Sequence, residues 1–257
     1  MTRTGVVFRP QSPIGRLRAV AEAADQAGID ELWLWEDCFL DSAVPAATAA
    51  LAWTDRLTVG VGLLPVPLRN AAAATMEIAT LARLFPGRVV PALGHGVLEW
   101  MGQVGARVES PMTLLREYTD AVRGLLDGER LTVEGRYVRL TDVALDDPVP
   151  EVPPLLIGAR GPRTVALAGE VADGVLLDAV ATPDAVRAAR NTADAARAAA
   201  GLEGATRVVV FVETTPADAR AAVERYAEAG ADTVVLQAPE HTPDPEPLLD
   251  ALRLRRS

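Results

Sequence analysis

Eight times along the chain a short, almost wholly apolar run gives way to a stretch of helical periodicity. Runs such as Val208–Val212 and Val234–Leu236 have no polar face, which is what a strand requires when it is covered on both sides of a parallel sheet. Parallel neighbours must be joined by crossovers, and the helical stretches supply them. The expected pairs are Gly5–Phe8 with Ile14–Ala27, Leu32–Trp35 with Asp41–Trp53, Leu57–Leu63 with Ala71–Leu84, and Val89–Leu93 with Met112–Leu126. Then follow Leu155–Ile157 with Arg163–Val171, Val175–Leu177 with Asp184–Ala200, Val208–Val212 with Ala217–Ala229, and Thr233–Leu236 with Pro247–Leu254. Gly28 and the pair Pro86, Gly87 are helix stops. Between the fourth and fifth units the pattern changes to LTVEGRYVRL, which reads as a small hairpin inserted at about 128–150. Eight units in 257 residues point to one domain, 1–257, folded as a closed (β/α)₈ TIM barrel. A doubly wound open sheet has the same periodicity and is the alternative.

A barrel of this kind carries its functional groups at the carboxyl ends of its strands. The residues found there are Phe8 and Arg9; Glu36, Asp37 and Cys38; Gly62, Leu63 and Leu64; Gly94, His95 and Gly96; Gly158 to Arg163; Asp178; Glu213; and Gln237. The stretch PPLLIGARGPRTVALAGEVADG, Pro153 to Gly174, says most. Its apolar run ends at Gly158, and Pro162 is suited to the first position of a helix. Unpaired backbone N–H groups at that helix start, with the forked donors of Arg160 and Arg163 beside them, make an anion socket matched to phosphate. The same glycine-flanked turn also serves as an ordinary strand-to-helix connection, and spacing alone does not separate the two readings. His95, between two glycines, is either ligand-facing or merely hydrogen-bonded to backbone.

Composition removes several alternatives. A net charge of −10 disfavours nucleic acid as a partner, so any anion site is a local feature. The basic residues are all arginine, which rules out Schiff-base chemistry on a lysine amine and a lysine-bearing phosphate loop. One cysteine and two histidines cannot form an internal disulfide or a Cys/His zinc site, and no metal is expected. The opening MTRTGVVFRPQSP lacks an apolar leader core, and no run reaches the ~18 apolar residues of a membrane span. The expectation is a soluble, cytoplasmic protein with no membrane partner.

Taken together, these segments resemble the luciferase-like monooxygenase superfamily, whose members often read PP-[apolar]-G-x-x-G-P-R followed by A-G-x-x-A-D-G. Here the residues are Pro153, Pro154, Gly158, Gly161, Pro162 and Arg163, then Ala168, Gly169, Ala172, Asp173 and Gly174. GIDELWLW (Gly28–Trp35) is similar to the family's second strand, TDRLTVGVG (Thr54–Gly62) to its third, and PGRVVPALGHG (Pro86–Gly96) to its fourth, with Ala92 where glycine is usual. Arg69 and Asn70 match a pair that opens the family's third helix.

The resemblance implies an oxidoreductase that binds the deazaflavin F420 and moves a hydride to or from a small organic substrate, with FMN as the alternative cofactor of a monooxygenase. A homodimer is implied on the same ground. It puts the cofactor phosphate in the turn Gly158, Ala159, Arg160, Gly161, Pro162, Arg163. It also places a non-prolyl cis peptide at Gly62–Leu63, with Leu63 behind the ring; an ordinary trans bulge before Pro65 is the other reading. Phe8, Gly94 and Gly96 complete the expected cofactor contacts. One departure stands out. Relatives often carry an acid–histidine pair after the second strand, where this chain has Glu36, Asp37 and Cys38. Asp37 is therefore the first candidate for proton transfer, with His95 and Glu36 behind it. Side chains alternate along an extended strand, so Glu36 and Asp37 are expected on opposite sides. The missing histidine also motivates a third reading, a flavin-binding barrel without turnover.

Overall fold

A computed structural model describes residues 2–253. Eight parallel strands close into a barrel in the order β1, β10, β9, β8, β7, β4, β3, β2. They are β1 (Arg3–Val7), β2 (Glu31–Leu34), β3 (Thr58–Pro65), β4 (Val89–Gly94), β7 (Leu156–Gly158), β8 (Gly174–Leu177), β9 (Arg207–Glu213) and β10 (Thr233–Gln237). The other two strands, β5 (Leu131–Glu134) and β6 (Arg139–Val143), pair antiparallel as the inserted hairpin between the fourth and fifth barrel strands. Closure settles the choice against an open sheet: β1 pairs with both β2 and β10.

Why the runs are apolar throughout is visible residue by residue. Within β9, Val208, Val210 and Val212 pack outward with the helices, while Val209 and Phe211 fill the barrel. β10 repeats this, with Val235 inside and Val234 and Leu236 outside. Trp33 is fully buried in the barrel, and Gly60 and Gly62 leave room for it: a Cβ at Gly60 would stand 2.2 Å from the indole. The amino-terminal end is plugged by a polar layer. Fully buried Glu31 accepts from Trp33 Nε1 at 2.8 Å and from Arg207, and forms an ion pair with Arg3 Nε at 3.0 Å. Ligand access is therefore left to the opposite, carboxyl-terminal mouth.

The helices are α1 (Leu17–Ala27), α2 (Ala43–Ala52), α3 (Ala71–Leu84), α4 (Leu98–Gln103), α5 (Pro111–Leu126), α6 (Pro162–Val171), α7 (Pro183–Ala199), α8 (Ala219–Glu228) and α9 (Glu246–Leu252). The final helix was expected to reach Leu254, which lies outside the described residues. α4 was not expected; it is a six-residue helix at the cleft mouth. The hairpin is held to α5 through Glu117, whose carboxylate accepts the backbone N–H groups of Arg136, Tyr137 and Val138. None of the helices among the described residues is long and apolar enough to cross a membrane.

Two parts of the Pro153–Gly174 motif have structural roles. Asp173 accepts the Leu155 N–H at 2.7 Å and pairs with Arg123, pinning the entry to β7. Gly169 lets α6 press against α7, since a Cβ there would lie 2.1 Å from the Ala193 carbonyl oxygen.

Candidate active site

The carboxyl ends of the strands surround a cleft of about 750 Å³. Its floor is built around Leu63. The Gly62–Leu63 peptide is cis, as the resemblance implied, and the half-buried Leu63 side chain lies between two glycines on neighbouring strands. A Cβ at either Gly94 or Gly158 would stand 2.4 Å from Leu63 Cδ2. Glycine is needed at both positions so that this leucine can form a flat, apolar support. A second non-prolyl cis peptide, Cys38–Phe39, was not foreseen.

On one side of the floor, the β7–α6 turn presents Gly158, Ala159, Arg160 and Gly161 to the cleft. Gly161 is the N-cap of α6 and Pro162 its first residue. The Thr164 and Val165 N–H groups both donate to the Gly161 carbonyl. Among the described residues the N–H groups of Gly161 and Arg163 have no protein acceptor, and the helix dipole adds partial positive charge at the same point. Arg160 reaches across to Asp178, which also lines the cleft. Pro162 and the exposed Arg163 side chain do not line it. Neither does Phe8, which is 2% exposed in the layer between barrel and helices, nor Gly94, which lies beneath Leu63.

Across the cleft, Glu36 and Asp37 both belong to the lining. Their carboxylates turn to different elements, Glu36 toward Arg69 after β3 and Asp37 toward Gln11 after β1. Their environments differ sharply. Glu36 accepts from Arg69 Nη1 (2.7 Å) and Nη2 (2.6 Å), from Ser42 Oγ (2.8 Å) and from the Ala43 N–H (3.1 Å) at the start of α2. Burial by itself would raise this carboxyl, but the four donors and the Arg69 charge outweigh it and hold it below the usual carboxylate range. Glu36 is a fixed anion tying together β2, α2 and α3. Among the described residues the Asp37 carboxylate accepts only from Gln11 Nε2, at 3.1 Å, and it is the less committed of the two. Burial and then the charges of Glu36 and Asp37 push the Cys38 thiol up, which disfavours the thiolate.

His95 lines the cleft at the end of β4. The ring Nε2 lies 3.4 Å from Thr164 Oγ1, whose hydroxyl is also 3.5 Å from Met112 Sδ. Nδ1 is buried and has no hydrogen-bond partner among the described residues. Burial holds the ring below the ordinary histidine value, with the Pro111 backbone opposing the shift, so it is neutral at neutral pH.

Several lining residues were not singled out beforehand. Trp35, counted within the second strand, turns out at its mouth and stacks against Phe211 at 5.7 Å between centroids. Arg9 lies over Trp35 and is engaged by Glu213 and the Ala238 carbonyl, each at 2.8 Å. Trp100 and Glu99 come from α4, whose sequence signal was slight: Leu98 and Met101 three apart, with Glu99 in the first turn.

Known proteins with related sequences carry the comparison further. The chain is 32% identical over 196 residues to a 5,10-methylenetetrahydromethanopterin reductase of Methanolobus tindarius, covering 76% of this chain and 60% of that protein. It is also 32% identical over 177 residues to an F420-dependent glucose-6-phosphate dehydrogenase of Kineococcus radiotolerans, covering 63% of this chain and 52% of the relative. The chain thus spans between half and three-fifths of these relatives' length. Among solved structures, an F420-dependent secondary alcohol dehydrogenase in complex with an F420–acetone adduct superposes with a TM-score of 0.85 over 98% of both chains, at 18% identity. That likeness concerns the fold. The sequence profile described as luciferase-like monooxygenase matches residues 2–252, nearly the whole chain, and the chain belongs to that family.

Proposed function

We propose that this cleft binds coenzyme F420 and that the protein transfers a hydride between it and a small organic substrate. The observation that carries the reading is the pairing of a flat apolar floor, Leu63 over Gly94 and Gly158, with unsatisfied N–H groups and Arg160 at the start of α6. These residues fit a planar ring joined to a phosphate, and a cleft of about 750 Å³ has room for it and a second molecule. Relatives named for F420 use support the deazaflavin over FMN. Leu63 would support the ring, while Gly161, the Arg163 N–H and Arg160 would hold the phosphate. Bound there, the deazaflavin supplies a two-electron hydride donor or acceptor.

The chain's own contribution is positioning and proton handling. A hydride moving to or from a carbon that bears oxygen or nitrogen leaves one proton to be delivered or taken up. Asp37 is the residue we assign to it, because it lines the cleft and its carboxylate is engaged by one exposed partner among the described residues. His95, which lines the cleft and is held below the ordinary histidine value by burial, is the second candidate. Glu36 is given a positioning role instead, since both of its oxygens are engaged. A homodimer is the assembly we attribute to the protein, supported by the exposed Met76 and Leu84 of α3.

Parallel fluorescence titrations of the purified protein with F420 and FMN test the cofactor. F420 is expected to bind more tightly; equal affinity, or binding of FMN alone, would overturn the reading.

A further inference from the structure

Five charged side chains line the cleft, and four are carboxylates: Glu36, Asp37, Glu99 and Asp178. The fifth, Arg160, is paired with Asp178 and stands on the turn assigned to the phosphate. Other cations near the mouth are already engaged. Arg69 is held by Glu36, and Arg9 is buried behind Trp35 with Glu213 as its partner. His95 adds no positive charge at neutral pH, because burial keeps its ring neutral.

Most of the remaining wall is apolar, apart from His95, Thr164 and Gln237, and so is the rim. Val97 and Leu98 are 46% and 47% exposed after β4, and Val180 is 74% exposed after β8, so they flank the β7 turn. Trp35 and Trp100 continue this surface into the cleft. Large apolar side chains grouped around an opening, rather than scattered, mark a surface that contacts a ligand.

Resting on the F420 reading above, we propose that the second ligand of this cleft is an uncharged hydroxyl or carbonyl compound with an apolar body, and that carboxylates and sugar phosphates are rejected. An entering anion would lose its hydration, meet the carboxylates of Asp37 and Glu99, which have no arginine partner among the described residues, and find Arg160 already held by Asp178 and the cofactor phosphate. A neutral molecule loses little on entry, buries its body against the valines and tryptophans, and has the Gln237 amide to donate to a carbonyl and the Asp37 carboxylate to accept from a hydroxyl. This cleft thereby differs from one built for glucose 6-phosphate, which needs a second set of phosphate donors.

Two isosteric probes isolate the charge: 5-phenyl-2-pentanone and 4-phenylbutanoate. Each is titrated by calorimetry into the F420-saturated protein and into the protein alone, with glucose 6-phosphate as a third ligand. The ketone should bind on the order of tenfold more tightly than the carboxylate at low salt, from repulsion by carboxylates several ångströms away. Added salt should leave the ketone unchanged and strengthen the carboxylate. Glu99→Arg, at an exposed position, should narrow the gap. Equal or tighter binding of 4-phenylbutanoate or glucose 6-phosphate would overturn the proposal, as would failure of the ketone to bind. Failure of F420 itself to bind would sink the cofactor reading alone; in the cofactor-free protein the α6 socket is open to an anion, so there the Glu99→Arg comparison decides, and 4-phenylbutanoate binding that this substitution does not strengthen would overturn the proposal.

Discussion

Glu36 shows how a residue singled out for chemistry can belong to the scaffold. Its partner Arg69 is 33 positions away, and only the pairing of β2 with β3 brings the two together. Glu36→Gln leaves the Arg69 guanidinium with Glu77 as its remaining counter-charge and should lower stability by about 1.5 to 3 kcal/mol near pH 7. The sign of the pH dependence follows from the lowered carboxyl. The stabilisation is fully present above the unfolded-state value near 4.3 and is lost as pH falls below it, through the lower folded-state value. Thermal melts of both proteins across that range should converge in acid; a constant difference would contradict the assignment. Gly158 makes the complementary case. The atom that an added Cβ would meet is the far end of the half-buried Leu63 side chain. Gly158→Ala should therefore cost no more than about 1 kcal/mol of stability, while displacing the floor enough to weaken F420 binding roughly tenfold. Loss of folding with unchanged affinity in the folded fraction would refute that role. Neither interaction was legible in the sequence, because each depends on side chains brought together from different strands.

At the level of elements the sequence was far more informative. Each barrel strand falls within two residues of an apolar run, because burial on both faces leaves no polar position to blur its limits. The hairpin was legible from its turn around Glu134 and Gly135. α4 was not, since six residues are too few for a period of 3.6 to declare itself. Trp35 was misjudged for a related reason: a run of apolar letters does not say where the hydrogen-bonded strand stops. The motif around Gly169 does have an element-scale test. Gly169→Ala would set a Cβ against the Ala193 backbone, which cannot rotate away, and should force α6 and α7 apart at about 1 to 3 kcal/mol. Chemical denaturation measures this directly; a neutral result would show that the two helices are not in rigid contact.

Across the whole molecule, the two ends of the barrel divide the work. The amino-terminal end is closed by buried Glu31 and its donors, and the carboxyl-terminal end is open, lined by aromatic and apolar side chains with a local anion socket. That socket sits on a protein of net charge −10, so its attraction for phosphate is a short-range property of α6 and Arg160 rather than of the overall field. The measurement that bears most directly on this account is a crystal structure of the protein with F420. The predicted result is a phosphate within hydrogen-bonding distance of the Gly161 and Arg163 N–H groups and Arg160, with the ring against Leu63. A phosphate bound at any other edge of the barrel, or a ring that does not touch Leu63, would contradict it.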